Sequence, residues 1–233
     1  MHEYLELIFF LPLFLLTVSI HEYSHGWVAN KLGDGTARER GRLTLNPLAH
    51  ISLPLTIVLP ILVLVLTWFR FTIALLKPVP INPFRFRNPK RGLMYVGLAG
   101  PVSNLLVALV LSMFLRFDIL PLTGFLGGIR AILGLIIIVN IVIAMFNMLP
   151  IPPLDGSRVM VGLLPNKYAR MLLSVDRYGF IFIITLFASL AFAGGGEGIL
   201  QFIRTPLKFV WKSLYGLSGL EFDNLMYGMT KTQ

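Results

Sequence analysis

Apolar positions in this chain fall into long blocks, and the polar positions are gathered between them. The first block runs from about Leu7 to Val28 and is broken only by the pentad His21-Glu22-Tyr23-Ser24-His25. At ~20 residues it is long enough to cross a bilayer as a helix. A signal peptide is the alternative, but the start MHEYLE has no basic region, and no small-x-small cleavage pattern precedes the polar residues. A second block, Ile51 to Leu76, contains Pro54 and Pro60 and ends in KPVPINPFRFRNPKRG. A third span is predicted from Leu93 to Arg116 and a fourth from Gly128 to Leu149, followed by a shorter stretch, Tyr178 to Ala193, and the hinge GGGEG. The pattern predicts an all-α polytopic membrane protein of about four to six transmembrane or re-entrant helices, with short extended segments near the cytoplasmic face.

The loops carry the charge. Lys31 to His50 contains Arg38, Arg40 and Arg42, and the stretch after Leu76 adds Lys77, Arg85, Arg87, Lys90 and Arg91. Both loops flank the second block, so a simple crossing would leave one of them outside, against the positive-inside rule. Re-entry to the same face is the easier solution, with KPVPIN extended because its prolines forbid helix, and an ordinary span that breaks the charge rule is the alternative. Such backbone is tolerable at membrane depth only against protein or a water-filled cavity. The end of the first span near Lys31 then faces the cytoplasm, the third span goes outward, and the fourth returns. The segment after Leu149 arrives on the side toward which His21 and His25 are displaced.

Composition agrees about the solvent and narrows the partners. Hydrophobic residues make up 56% of the chain and charged residues only 13%, more apolar surface than a soluble domain of 233 residues could hide. The net charge of +9 sits in loops and at helix ends, where anionic headgroups explain it more simply than nucleic acid does. With no Cys there are no disulfides and no thiolate ligands, so any metal site must be built from His, carboxylates or water.

Residues four apart on a helix differ by about 40° in azimuth, so the imidazoles of His21 and His25 leave one face a turn apart and can hold one metal ion together. Glu22 lies at the edge of that face, where it can reach an attacking water without being a ligand, as a general base must. With four His and six Glu in the chain, random placement would give His-Glu-x-x-His roughly 0.002 times. A polar patch gluing helices together is the competing reading, but each such group costs about 2.5 to 3.5 kcal/mol at a helix centre.

A catalytic zinc takes three protein ligands and leaves one position open. His50 is on the expected side, yet a carboxylate is the more usual partner of two His. Among the five Asp, Asp118 is expected outside, and Asp34 and Asp176 in charged, solvated surroundings. Asp155 lies in FNMLPIPPLDGSRVM, where Pro150, Pro152 and Pro153 break the fourth helix and Gly156 permits a tight turn. An Asp-Gly turn capping the following helix remains the alternative for that residue.

HEYSH in a first span, Gly100-Pro101-Val102-Ser103-Asn104 in a third, and NMLPIPPLDG, Asn147 to Gly156, at the end of a fourth resemble the site-2 protease family of intramembrane zinc metalloproteases. The likeness covers roughly Leu7 to Arg158, and LGDGTARERGRLTLNPLAH and KPVPINPFRFRNPKRG are similar to its compact prokaryotic branch. The resemblance implies that His21, His25 and Asp155 bind one Zn2+ and that Glu22 is the general base. It implies that Asn147 holds substrate or stabilises the oxyanion, with capping of frayed helix carbonyls as the alternative. Gly97 and Gly100 would allow close helix packing, Arg42 and His50 would orient ligands from behind, and Ser103 and Asn104 would hydrogen-bond near the site or act as interhelical glue. Asn46 belongs with His50 to the branch's NPxxH pattern. The implied substrate is a transmembrane protein in the membrane of a prokaryotic cell, unwound locally and added as a strand to KPVPIN or to the strand-like GRLTL. No PDZ module or CBS pair accompanies the motifs.

Residues 1–197 are thus expected to form the protease domain, and 198–233 an interfacial amphipathic helix and tail, with Arg204, Lys208 and Lys212 recurring every four residues. A metal or proton transporter would also place His, Glu and Asp in the membrane, but no inverted repeat pairs the HEYSH and LDG segments.

Overall fold

The computed structural model describes residues 2–58, 76–117 and 124–176, with isolated positions at 60, 61, 65, 178, 179 and 185. Among these residues there are six α-helices: α1 (His2–Lys31), the single turn α2 (Thr36–Glu39), α3 (Pro89–Arg116), α4 (Gly124–Asn147), α5 (Asp155–Leu163) and α6 (Asn166–Asp176). α3 and the Leu126–Asn147 part of α4 are long and apolar enough to cross a bilayer. The expected re-entry of Ile51 to Leu76 rests largely on residues outside those described; Leu53–Val58 form a π-helical turn. The stretches 178–193 and 198–233 likewise lie almost entirely outside them.

Helix limits follow local chemistry. α1 stops at Lys31 because Gly33, at φ 106°, takes a left-handed conformation that closes the end, with Gly33 N–H on Asn30 O and Asp34 N–H on Ala29 O. α3 begins four residues before the expected Leu93, because Asn88 accepts the N–H of Arg91 on its side chain and Pro89 occupies the first helical position.

α3 is the spine against which α1, α4 and α5 pack. Its buried positions include Gly92, Val96, Gly100, Asn104, Ala108 and Ser112, one stripe at a spacing of four. α1 answers with buried Thr17, His21, His25 and Ala29 at the same spacing. These helices meet on small and polar residues, while large apolar side chains such as Leu106 and Val110 on α3 are exposed. That is the packing of helices whose solvent is lipid, where close approach and dispersion replace the hydrophobic effect. Asn140 of α4 joins the layer, donating to Thr17 Oγ1 at 3.2 Å and to Ile136 O at 2.8 Å.

The KPVPIN expectation of non-helical backbone holds over residues 76–82. This strap is pinned repeatedly. Lys77 N–H donates to His50 O (2.8 Å), Val79 N–H to Glu22 Oε2 (2.9 Å) and Asn82 N–H to Asp34 Oδ2 (2.6 Å), while Arg42 Nη2 donates to Lys77 O (2.8 Å). GRLTL, in contrast, is not a strand. Gly41 turns the chain at φ 64°, and Thr44 O accepts from the His50 ring instead of a neighbouring backbone.

Asp34 also departs from expectation. It is fully buried, not solvated, and besides Asn82 it takes the N–H of Thr36 at 3.0 Å and the Thr36 hydroxyl. On the exposed rim nearby, Arg85 Nη1 meets Glu39 Oε1 at 2.5 Å, and that hydrogen bond holds the guanidinium pKa above its ordinary value.

Candidate metal centre

The helical spacing of the pentad brings His21 and His25 onto the α3 face, and the Pro-rich link after α4 brings Asp155 to meet them. Asp155 is the first residue of α5, preceded by extended Leu154. Gly156 makes the approach possible, because a Cβ there would lie 2.3 Å from Met148 O and 2.4 Å from Leu149 O. Ser157 N–H and Oγ both donate to Leu154 O, which fixes the turn.

His21 Nε2 and His25 Nε2 are 3.1 Å apart, and each is 3.2 Å from Asp155 Oδ2. All three residues are buried. Despite this closeness, Asp155 Oδ2 has no hydrogen-bond partner among the described residues. His25 Nδ1 lies 2.6 Å from Val96 O, which can only accept, so the proton is on Nδ1 and the Nε2 lone pair faces the cluster. An unpartnered carboxylate oxygen and an imidazole lone pair, pressed together with a second imidazole nitrogen in a nearly equilateral triangle, are costly without a shared cation. A tetrahedral ion bonded at about 2.0–2.1 Å would set its ligand atoms about 3.3 Å apart, so the residues fit zinc.

α3 supplies the floor. A Cβ on Gly100 would lie 2.5 Å from His21 Cε1 and from His25 Nε2, and one on Gly97 would lie 2.8 Å from Asp155 O. Only hydrogen at these two positions lets the imidazoles and the Asp155 backbone share one helix face. Arg158 Nη1 stands 3.6 Å from Asp155 Oδ1, the oxygen turned away from the imidazoles.

The structure disperses the remaining candidates. Asn147 donates Nδ2 to Ile143 O at 3.0 Å, the helix-capping alternative. His50 is buried with Nε2 on Thr44 O at 2.9 Å, and Arg42 Nη1 donates to Ala49 O, so both tie the 42–50 loop to the strap and touch no ligand. Asn46 Oδ1 accepts Leu48 N–H and caps the turn Pro47–His50. Ser103 returns its hydroxyl to Gly100 O. Asn104 is buried one turn beyond Gly100, with no partner on either side-chain atom among the described residues. Sequence reasoning missed the Val96 carbonyl, Val79 and Asp34. For Asp34 a signal existed, since Asp-x-Thr is the pattern of a side chain capping its own turn.

Two imidazoles and a carboxylate enclosed among apolar helices, with Glu22 next to His21 in sequence, form the class of site that holds a metal ion between helices. A family model described as peptidase family M50 matches residues 123–217. A candidate zinc metalloprotease of Bacillus subtilis (strain 168), YwhC, is 36% identical over 179 residues, covering 75% of this chain and 78% of its own. A Rip2 protein of Mycolicibacterium smegmatis, described in the same terms, is 31% identical over 172 residues, which cover 74% of this chain and 63% of that relative. No solved structure matches the chain. The chain belongs to peptidase family M50; it is a zinc metalloprotease of the membrane.

Proposed function

We propose that the protein hydrolyses a peptide bond within or next to a transmembrane segment of a membrane-protein substrate, with His21, His25 and Asp155 as zinc ligands and Glu22 as general base. The observation that carries this reading is the buried triangle of two Nε2 atoms and Asp155 Oδ2, all within 3.2 Å of one another. Zinc held there supplies a Lewis acid that polarises the scissile carbonyl and makes water acidic enough to attack near neutral pH.

The chain's own groups do the rest. Glu22 is adjacent in sequence to His21 and has Oε2 fixed by Val79 N–H, which leaves Oε1 to take the proton of the attacking water and return it to the leaving amine. Val96 O holds the His25 ring in its ligating tautomer. The strap at 76–82 borders Glu22, and its backbone is the natural place for an unwound substrate segment to lie extended. Asn147, at the end of α4, would swing from Ile143 O to hold the substrate carbonyl. The Lys31 end of α1 faces the cytoplasm in this reading, as the basic loops require.

The test compares wild type with Glu22→Gln and Asp155→Ala, measuring bound zinc and cleavage of a transmembrane reporter. Glu22→Gln should keep the metal and lose about 10²- to 10⁴-fold in rate, and Asp155→Ala should lose both. Full cleavage by Glu22→Gln would overturn the base assignment. Unchanged zinc binding and full cleavage in Asp155→Ala would overturn the ligand assignment.

A further inference from the structure

Where α1 ends and α3 begins, a cavity of about 510 Å³ is lined by Lys31, Arg87 and Arg91 together with Gly33 and Asn88. A second cavity, of about 370 Å³, adjoins it, sharing Lys31, Leu32 and Tyr95 and passing between the helices along Trp27, Leu98 and Val102. The two have opposite chemistry. The first presents three cations, none of which is in an ion pair among the described residues, and the N-terminus of the 28-residue α3 lies in its wall. The second is an apolar groove. Lys31 stands at the junction, with Nζ 5.6 Å from the centre of the Trp27 ring.

Three neighbouring cations repel one another unless an anion lies between them. Here the anion site opens directly into a groove that is apolar for two turns of α3, which suits a molecule with a negative head and a hydrocarbon tail. Free phosphate would use the first cavity and leave the second unexplained. We propose that the paired cavities bind one anionic diacyl phospholipid, with its phosphate among Lys31, Arg87 and Arg91 and an acyl chain along Trp27, Leu98 and Val102. Basic pockets between transmembrane helices take anionic headgroups for the same electrostatic reason. The assignment is independent of the protease reading, and its test needs no substrate.

Trp27 is 46% exposed in the groove and serves as the probe. In the full chain carrying Trp68→Phe and Trp211→Phe, Trp27 is the only tryptophan. Reconstituted in phosphatidylcholine, this protein is titrated with bromine-labelled phosphatidylglycerol or bromine-labelled phosphatidylcholine, and quenching is recorded. Phosphatidylglycerol should quench at the lower mole fraction, with a preference of about fivefold for each cation that contacts the phosphate. The triple variant Lys31→Gln, Arg87→Gln, Arg91→Gln should bring the two curves together, whereas Lys167→Gln with Arg170→Gln on α6 should leave the preference intact. Helix content by circular dichroism shows that each variant is folded, and Lys31→Arg, which keeps the charge, should behave as the parent. Coincident curves in the parent would overturn the proposal, as would a preference that survives the triple variant. So would loss of the preference on adding millimolar inorganic phosphate, which would show an ion site without lipid.

Discussion

Val79 N–H donates to Glu22 Oε2 at 2.9 Å, joining residues 57 positions apart. The side chain proposed as the base is thereby held by a backbone group that no side-chain substitution removes, apart from one. Proline deletes the N–H, and with Pro78 and Pro80 on either side the strap already tolerates proline geometry. Val79→Pro should retain zinc and KM and lower kcat about 10- to 100-fold, the worth of one hydrogen bond to a charged group. Val79→Ala keeps the N–H and should stay near wild type. An unchanged kcat in Val79→Pro would show that the bond is incidental.

Gly100→Ala should damage the metal site without touching a ligand. Its Cβ would lie 2.5 Å from His21 Cε1 and His25 Nε2, and α3 cannot retreat while α4 and α5 pack on it. Zinc affinity should fall about 10- to 100-fold, as when ligand orientation is lost. Equilibrium dialysis against a zinc chelator measures this directly. Gly97→Ala, which presses on Asp155 O, should act in the same direction.

Asp34→Ala should loosen the strap. It strands the N–H groups of Thr36 and Asn82 in a partly buried place and should cost about 1 kcal/mol. Thermal denaturation in detergent gives the stability, and greater proteolytic nicking near residues 76–82 would locate the effect.

Substrate choice follows from the need to expose a carbonyl that a helix hides. Reporters with Gly or Pro within the transmembrane segment should be cleaved several-fold faster than an all-Leu segment, because helix breakers lower the cost of unwinding by about 1–3 kcal/mol. Equal rates would rule out local unwinding as the selective step.

The parts of the site that sequence made legible were those written in local spacing. The i, i+4 imidazoles meet the aspartate of the LDG turn in one place, and the two glycines of α3 let the helices approach there. Contacts made across the fold were not legible in that way. Nothing local says that Val79 reaches Glu22 or that Val96 O orients His25, because each depends on how α1, α3 and the strap are laid together. Asp34 was misjudged because charged neighbours in sequence, Arg38 and Glu39, suggested water, whereas its partners are two backbone amides and the Thr36 hydroxyl. Arg42 and His50 were noticed for their chemistry and turned out to hold loop carbonyls.

The ribosome makes a chain from its N-terminus, and that order bears on how the centre comes into being. His21, His25 and the α3 floor are synthesised well before Asp155, which α5 carries at its first position. If the triangle is the zinc site, the nascent protein holds an incomplete pair of ligands through most of its translation. It gains hydrolytic competence only once the Pro-rich link has emerged and folded back, so a half-made protease is inert among the membrane proteins being inserted beside it.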